Sequence, residues 1–214
     1  MDVAGRVLIA QRPAGTHLAG GWEFPGGKLE PREGRAAGLA RELHEELGIT
    51  IAAPRPLLRV RHPYPGRDVL LDMWVVTRYT GEPRGLDGQA VRWCTRRELA
   101  AAELLPADGP IVRVLWLPER LLRASSADYR ISEFGSMPSA PRGAHARLRG
   151  VYCRCPEDGL AAAAGADFLV MRSEIPGGAL GALCASVAVP VYARGMPLEE
   201  AWEIGASGIH EIGD

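Results

Sequence analysis

The chain has 214 residues, 25 Lys+Arg against 26 Asp+Glu, and a formal net charge of −1. That length fits one ordinary domain plus a smaller one, and the near-neutral balance argues against direct nucleic-acid binding, which needs a basic surface. No apolar run approaches the ~20 residues that span a bilayer, no signal segment opens the chain, and Cys94, Cys153, Cys155 and Cys184 read as reduced thiols, so a cytoplasmic protein is expected. Lys28 is the only lysine among the basic residues. Codon bias accounts for the arginines; a compact, strongly hydrated charge that arginine does not reproduce accounts for the exception.

Val7-Leu8-Ile9-Ala10 reads as the first strand. Gly34 to Leu47 reads as a helix, stopped by Gly48 and followed by β-branched Ile49-Thr50-Ile51. Val69 to Val76 reads as a longer, buried strand, and Pro110 suits the first position of a helix reaching Leu117. From Pro118 to about Arg149, serines, prolines and arginines without periodicity predict a linker, with a strand at Arg120-Leu121-Leu122. Strands then alternate with helices of about ten residues: Gly150 to Cys153, Pro156 to Gly165, Asp167 to Met171, Gly178 to Ala188, Val189 to Tyr192, Leu198 to Ala206 and Gly208 to Ile212. That alternation predicts parallel βα units, half of an eight-stranded barrel. Cys153 and Cys155 have the wrong spacing for a zinc knuckle and are expected on one face of a strand end. Three divisions follow: 1–117, a linker at 118–149, and 150–214.

One stretch carries chemistry. On a helix Glu42, Glu45 and Glu46 fall within roughly 100° of arc, beside an apolar stripe of Ala36, Leu39, Ala40, Leu43 and Leu47. Like charges at these spacings destabilise an isolated helix, and a hard cation such as Mg²⁺ reverses the sign. A bare cluster of this kind is more often a solvated acidic face. Here it follows Pro25-Gly26-Gly27-Lys28, a tight turn that exposes carbonyls and adds a cation, which points to a metal–phosphate site.

Gly27, Glu33, Arg41-Glu42, Leu43, Glu45-Glu46, Gly48 and Ile49 fill every fixed place of the Nudix box. The flanking Gln11-Arg12-Pro13, His17-Leu18-Ala19-Gly20, Trp22-Glu23-Phe24-Pro25-Gly26-Gly27-Lys28 and Gly85-Leu86-Asp87-Gly88-Gln89 resemble the MutT branch, the 8-oxo-dGTP diphosphatases. The resemblance covers residues 1 to about 117. It implies an α/β/α sandwich with a mixed sheet, and hydrolysis of (deoxy)nucleoside triphosphates with Mg²⁺ or Mn²⁺, water attacking the β-phosphorus to release nucleoside monophosphate and pyrophosphate in a nucleotide-sanitising role. It implies Glu42, Glu45, Glu46, Asp87 and the Gly26 carbonyl as metal ligands. Among these Glu42 is the water-activating carboxylate, and Asp87 binds metal or assists the water. Arg41 and Glu33 would brace the loop. Arg12, His17, Glu23, Phe24, Pro25, Gly26, Lys28 and Asp108 would line the substrate pocket. Surface or core roles compete at several of these: Arg12 as a surface arginine, Lys28 as a solvated loop lysine, and Trp22 and Phe24 as core.

Two departures matter. Relatives carry an asparagine where Asp108 stands; an ionised carboxylate only accepts, so weaker discrimination for 8-oxo-dGTP or another preferred base is expected. Relatives also begin with a strand ahead of Val7, for which only Met1 to Gly5 remain, so either the start is misassigned or another segment or chain is expected to cover that edge. The last zone resembles the second half of thiamine-phosphate synthase in Gly165 to Val170, Val189 to Ala193 and Gly205 to Ile209. Arg172-Ser173-Glu174-Ile175-Pro176-Gly177 lacks the expected Thr/Ser-Lys, and Arg194-Gly195-Met196 has one glycine where relatives have two, so no synthase activity is predicted. The open edges of a half-barrel imply a homodimer. Two other readings remain: a Nudix pyrophosphatase for another nucleoside diphosphate derivative, and a catalytically weakened nucleotide-binding or assembly module.

Overall fold

A computed structural model describes residues 1–13, 15–122, 125–136, 147–172 and 174–211. Residues 137–146 of the expected linker, Ser173 and Ile212 lie outside them. The chain forms two compact units that do not follow its order: Met1–Pro54 with Val75–Val112, and Arg55–Trp74 with Arg113–Asp214. No helix among the described residues is long and apolar enough to cross a membrane.

In the first unit, strand β1 (Val7–Gln11) lies between β2 (Trp22–Glu23) and β7 (Val91–Cys94), antiparallel to both. Trp22 also bridges Leu104 in parallel. β3 (Thr50–Ala52) pairs antiparallel with β6 (Arg78–Thr80). Helix α1 (Arg35–Leu47) follows Gly34, and Gly48 ends it with φ +70°, a left-handed conformation that favours glycine. Its apolar side packs Leu43 and Leu47 with Leu8 and Ile49, backed by Leu39, Val91 and Trp93. Ala36, expected in that stripe, is exposed. α2 (Arg96–Ala100) starts at a reciprocal cap in which Thr95 Oγ1 accepts from the Glu98 N–H and Glu98 accepts from the Thr95 N–H. A 3-10 turn at Pro106–Asp108 leads into α3 (Gly109–Val114), shorter than the helix expected to reach Leu117.

The second unit holds the hairpin strands β4 (Arg55–Tyr64) and β5 (Arg67–Val75). β5 was expected to be buried; it is half-buried for most of its length, and Leu70 is 55% exposed. The expected linker contributes two strands, β8 (Arg120–Leu121) and β9 (Tyr129–Glu133). With β10 (Leu148–Cys153), β11 (Phe168–Met171), β12 (Val191–Ala193) and β13 (Gly208–His210) they form an entirely parallel six-stranded sheet, in the order β8-β13-β12-β11-β10-β9. The half-barrel expectation therefore holds; the strand expected at Arg120-Leu121-Leu122 joins it as β8, and β9 is a strand its sequence pattern did not reveal. α4 (Pro156–Ala162), α5 (Gly177–Ser186) and α6 (Leu198–Ile204) follow β10, β11 and β12 in turn. Cys155 is not on the strand end with Cys153 but immediately precedes α4, and all four cysteines are free thiols.

The sheet is curled. β8 and β9 lie at opposite ends of the strand order, about 24 Å apart if the sheet were flat. Yet Ser125, four residues after Leu121, bridges Arg130 within β9, and four residues reach only about 14 Å. Aromatic rings fill the inner face: Phe168 meets Tyr129 and Tyr192 edge-on at 5.7 Å each, and Tyr152 meets His210 at 5.4 Å. Gly150 makes room for them, because a Cβ there would stand 2.4 Å from the Phe168 ring. Val151, Cys153, Leu169, Met171, Val191 and Ile209 pack in the core formed with α4, α5 and α6. The hairpin is stitched to this sheet by buried hydrogen bonds. Arg55 donates to the carbonyls of Ser207 (2.8 Å) and Leu117 (3.2 Å), and Ser207 Oγ donates to the Leu57 carbonyl.

Candidate active site

The spacing on α1 turns Arg41, Glu42, Glu45 and Glu46 towards the loop that precedes the helix. Arg41 holds that loop. Its guanidinium donates to both Glu33 oxygens (2.8 and 2.9 Å), to Glu42 Oε1 (2.9 Å), to Glu45 Oε2 (3.0 Å) and to the Lys28 carbonyl (3.0 Å). Glu33 also accepts from the Glu30 N–H, and these bonds hold its carboxyl down at about 2. The bracing role expected of Arg41 and Glu33 corresponds to these contacts. Gly38 lets the loop lie on the helix, since a Cβ there would meet Leu29 at 2.3 Å and Glu33 at 2.7 Å.

The other end of the loop closes on the carboxylates. Gly26 has φ +143°, and a Cβ on Gly27 would stand 1.9 Å from Glu42 Oε2. The Gly26 N–H donates to Glu46. Burial pushes Glu46 up to about 7, and the nearby charges of Glu42, Asp87 and Glu23 add to that effect. The Asp87 loop hangs from the end of α1: the Leu86 N–H (2.9 Å) and Gln89 Nε2 (3.2 Å) both donate to the Glu46 carbonyl, while Gln89 Oε1 accepts from the Asp87 N–H (2.9 Å). No role was expected of Gln89 beyond its place in the Gly85–Gln89 resemblance; its positioning contact is visible only in the folded loop.

A second group adjoins the first through Glu23. Arg12 Nη1 donates to both Glu23 oxygens (2.9 and 2.7 Å), and its Nε donates to the His17 carbonyl (2.6 Å). Despite that ion pair, burial raises the Glu23 carboxyl above the ordinary range. Asp108, 4% exposed, is brought to Glu23 and Phe24 by main-chain bonds: Leu105 N–H donates to the Trp22 carbonyl, and Asp108 N–H to the Leu105 carbonyl. Burial, then the Glu23 charge, push Asp108 up to about 7 against the Phe24 N–H and Arg12, which favour its charged form. Trp22 and Phe24 are half-buried rather than core, and Arg92 lies over the Trp22 ring at 4.3 Å.

Of the expected site residues, Glu42, Glu46, Asp87 and the Gly26-Gly27 turn therefore gather, and Arg12, Glu23, Phe24 and Asp108 gather beside them. Pro25 joins the two groups in sequence. His17, Lys28 and Glu45 are exposed at the rim. Among the described residues no three His, Cys, Asp or Glu side chains already converge on one point as a metal would require. The donor chemistry nonetheless fits a hard divalent cation. All the candidate donors are oxygens, and burial, reinforced by the charges of Glu42, Asp87 and Glu23, raises the Glu46 carboxyl, as carboxylates gathered this closely would.

Residues 1–114 match the family profile described as NUDIX domain. The CTP pyrophosphohydrolase of Escherichia coli is 40% identical over 108 residues, 50% of this chain and 80% of that protein. The 8-oxo-dGTP diphosphatase of Escherichia coli is 37% identical over 109 residues, 51% of this chain and 84% of that protein. Among solved structures, the E. coli ORF135 protein is 38% identical, covers 53% of this chain and 81% of its own, and has a TM-score of 0.48.

Proposed function

The chain belongs to the Nudix family, and on that premise we propose that it cleaves (deoxy)nucleoside triphosphates, 8-oxo-dGTP foremost, to nucleoside monophosphate and pyrophosphate. The observation that carries this reading is the closure of the Gly26-Gly27 turn onto Glu42 and Glu46, beside a corner built from Arg12, Glu23, Phe24 and Asp108. One group has the donors for phosphate chemistry; the other has the polar edge and aromatic ring that a base requires.

Glu42, Glu46, Asp87 and the Gly26 carbonyl would hold Mg²⁺ or Mn²⁺, with Glu45 at the rim. Bound there, the metal neutralises charge on the phosphates and acidifies water. The protein's own part is positional. Arg41 fixes Glu42 Oε1 and leaves Oε2 against the turn, where it accepts the proton of the attacking water. Water oxygen bonds to the β-phosphorus as the bond from that phosphorus to the α–β bridging oxygen breaks, and the bridging oxygen departs with the monophosphate. Lys28 screens phosphate charge from the loop, and Asp108 reads the base.

The alternating sheet at 150–214 is read as a scaffold resembling thiamine-phosphate synthase without its activity, in a cytoplasmic protein. Purified chain that forms thiamine phosphate would refute that. A panel containing 8-oxo-dGTP, dGTP and CTP, scored for pyrophosphate with and without divalent metal, tests the main reading. Metal-dependent release of pyrophosphate from 8-oxo-dGTP is expected, whereas nucleotide binding with no turnover would select an assembly or binding module instead.

A further inference from the structure

Helix α1 ends on carbonyls that no further turn of the helix can satisfy. Two of them accept from the segment that carries Asp87. The Leu86 N–H donates to the Glu46 carbonyl at 2.9 Å, and the Arg84 N–H to the Leu47 carbonyl at 3.1 Å. The helix that presents Glu42, Glu45 and Glu46 is thus capped by the loop that presents Asp87, although 43 residues separate Glu46 from Gln89.

Backbone bonds fix where this loop leaves the helix end; Gln89 fixes where it returns. Its Nε2 donates to the Glu46 carbonyl at 3.2 Å, and its Oε1 accepts from the Asp87 N–H at 2.9 Å. A carboxamide carries donor and acceptor on one planar group, and these two partners admit a single orientation of it. Gly85 leaves the room, because a Cβ there would stand 1.8 Å from the Gln89 carbonyl oxygen and 2.9 Å from Gln89 Oε1. Little apolar burial holds the loop otherwise: Asp87 and Gly88 are exposed, and Leu86 is 57% exposed. A segment that buries so little opens at low cost, so its polar ties decide where Asp87 stands.

We propose that Gln89 is a positioning residue: its carboxamide ties the Asp87 main chain to the last turn of α1 and so sets how closely the Asp87 carboxylate approaches Glu42 and Glu46, on which the hold on a divalent cation depends. The proposal rests on the metal and nucleotide reading above and deepens it by naming the group that keeps the loop carboxylate in register with the helix. Gln89 touches neither cation nor phosphate; it acts through Asp87. Outer partners of this kind change metal affinity by about 10- to 100-fold when removed, because the donor they orient is then free to turn away.

Titration of the intact, nucleotide-free chain with Mn²⁺, followed by electron paramagnetic resonance, tests this separately from turnover. Gln89→Leu removes both side-chain bonds and is expected to weaken Mn²⁺ binding about tenfold, as is Asp87→Asn. Because Gln89 acts through Asp87, the double variant is expected to bind no worse than the weaker single one. Losses that multiply to about a hundredfold overturn the proposal, since they mark a merely structural effect independent of Asp87. Either single variant binding like the wild type overturns it too. Gly85→Ala crowds the same carboxamide without removing a polar atom and is expected to weaken binding in the same direction. Should these variants fail to fold, amide NMR of the wild type decides. Signals of the Gln89 side-chain amide and the Asp87 N–H that shift together on adding Mg²⁺ support the proposal, and an Asp87 signal that shifts while the Gln89 amide stays fixed overturns it. Coupled Mn²⁺ binding without nucleotide cleavage removes the hydrolase reading alone. Cleavage by Gln89→Leu with unchanged kcat and unchanged Mn²⁺ dependence removes this inference alone, and a wild type that binds no Mn²⁺ removes both.

Discussion

Glu33 and Asp108 belong to the same compact unit, yet one carboxyl is held at about 2 and the other pushed up to about 7. The difference lies in who holds the nearby arginine. Arg41 donates two bonds to Glu33 and then reaches Glu42 and Glu45. Arg12 is turned to Glu23, so Asp108 has burial and a second carboxylate as its main influences. The first region thus specifies geometry through charge. The second raises the pH at which its carboxyl gives up a proton, which bears on the hydrogen bonds it can offer.

The sharpest way to probe that contrast is to remove charge from the clamped side while keeping its shape. Glu42→Gln retains the contacts with Arg41 and Gly27 but is expected to lower kcat about 10³-fold, with circular dichroism and melting little changed. Full turnover would take Glu42 out of the chemistry. Arg41→Gln breaks the clamp itself. It should cost about 10²-fold in kcat, and the Glu33 carboxyl should return from about 2 towards the ordinary carboxylate value, readable by ¹³C NMR.

Stability against pH contrasts the two regions by sign. Glu33 has a depressed folded value, so its contribution is present above the unfolded value of 4.5 and is lost as pH falls through about 2. Asp108 has a raised one, so its contribution is complete below 3.8 and is lost as pH rises through about 7. Urea unfolding of Asp108→Asn is therefore expected to remove on the order of 2 kcal/mol of the wild-type decline between pH 4 and pH 8. An unchanged slope would mean that Asp108 is charged in the folded protein. The smallest effect belongs to the rim. Lys28→Met, at an exposed position, should raise KM less than about fivefold, as expected of a solvated charge.

How much of this was legible depended on whether the signal was local. α1 was legible because its apolar spacing and Gly48 lie within one short stretch, and the box residues placed Arg41 against Glu33. β9 was not, since Tyr129–Glu133 sits among serines and acquires strand character by parallel pairing with Leu148–Tyr152. β8 coincides with the strand expected at Arg120-Leu121-Leu122, but its partner β13 lies about ninety residues on and was not legible. The direction of Glu42 and Glu45 was likewise hidden: helical spacing puts them on one side but does not reveal that Arg41 takes both. Asp108 was recognisable by type, whereas its burial comes from a turn fixed to Trp22 by main-chain bonds that no residue pattern announces.

The stitching of Arg55 and Leu57 to Ser207 has a consequence for biosynthesis. A nascent chain presents these residues, and later β8, well before the ribosome has added the segment that satisfies them; Arg120 alone waits about ninety residues for Ile209. Domain-wise cotranslational folding is thereby discouraged for the unit containing the hairpin. Its early segments emerge as strands whose partners are not yet made, so this unit completes its sheet only once β13 has emerged.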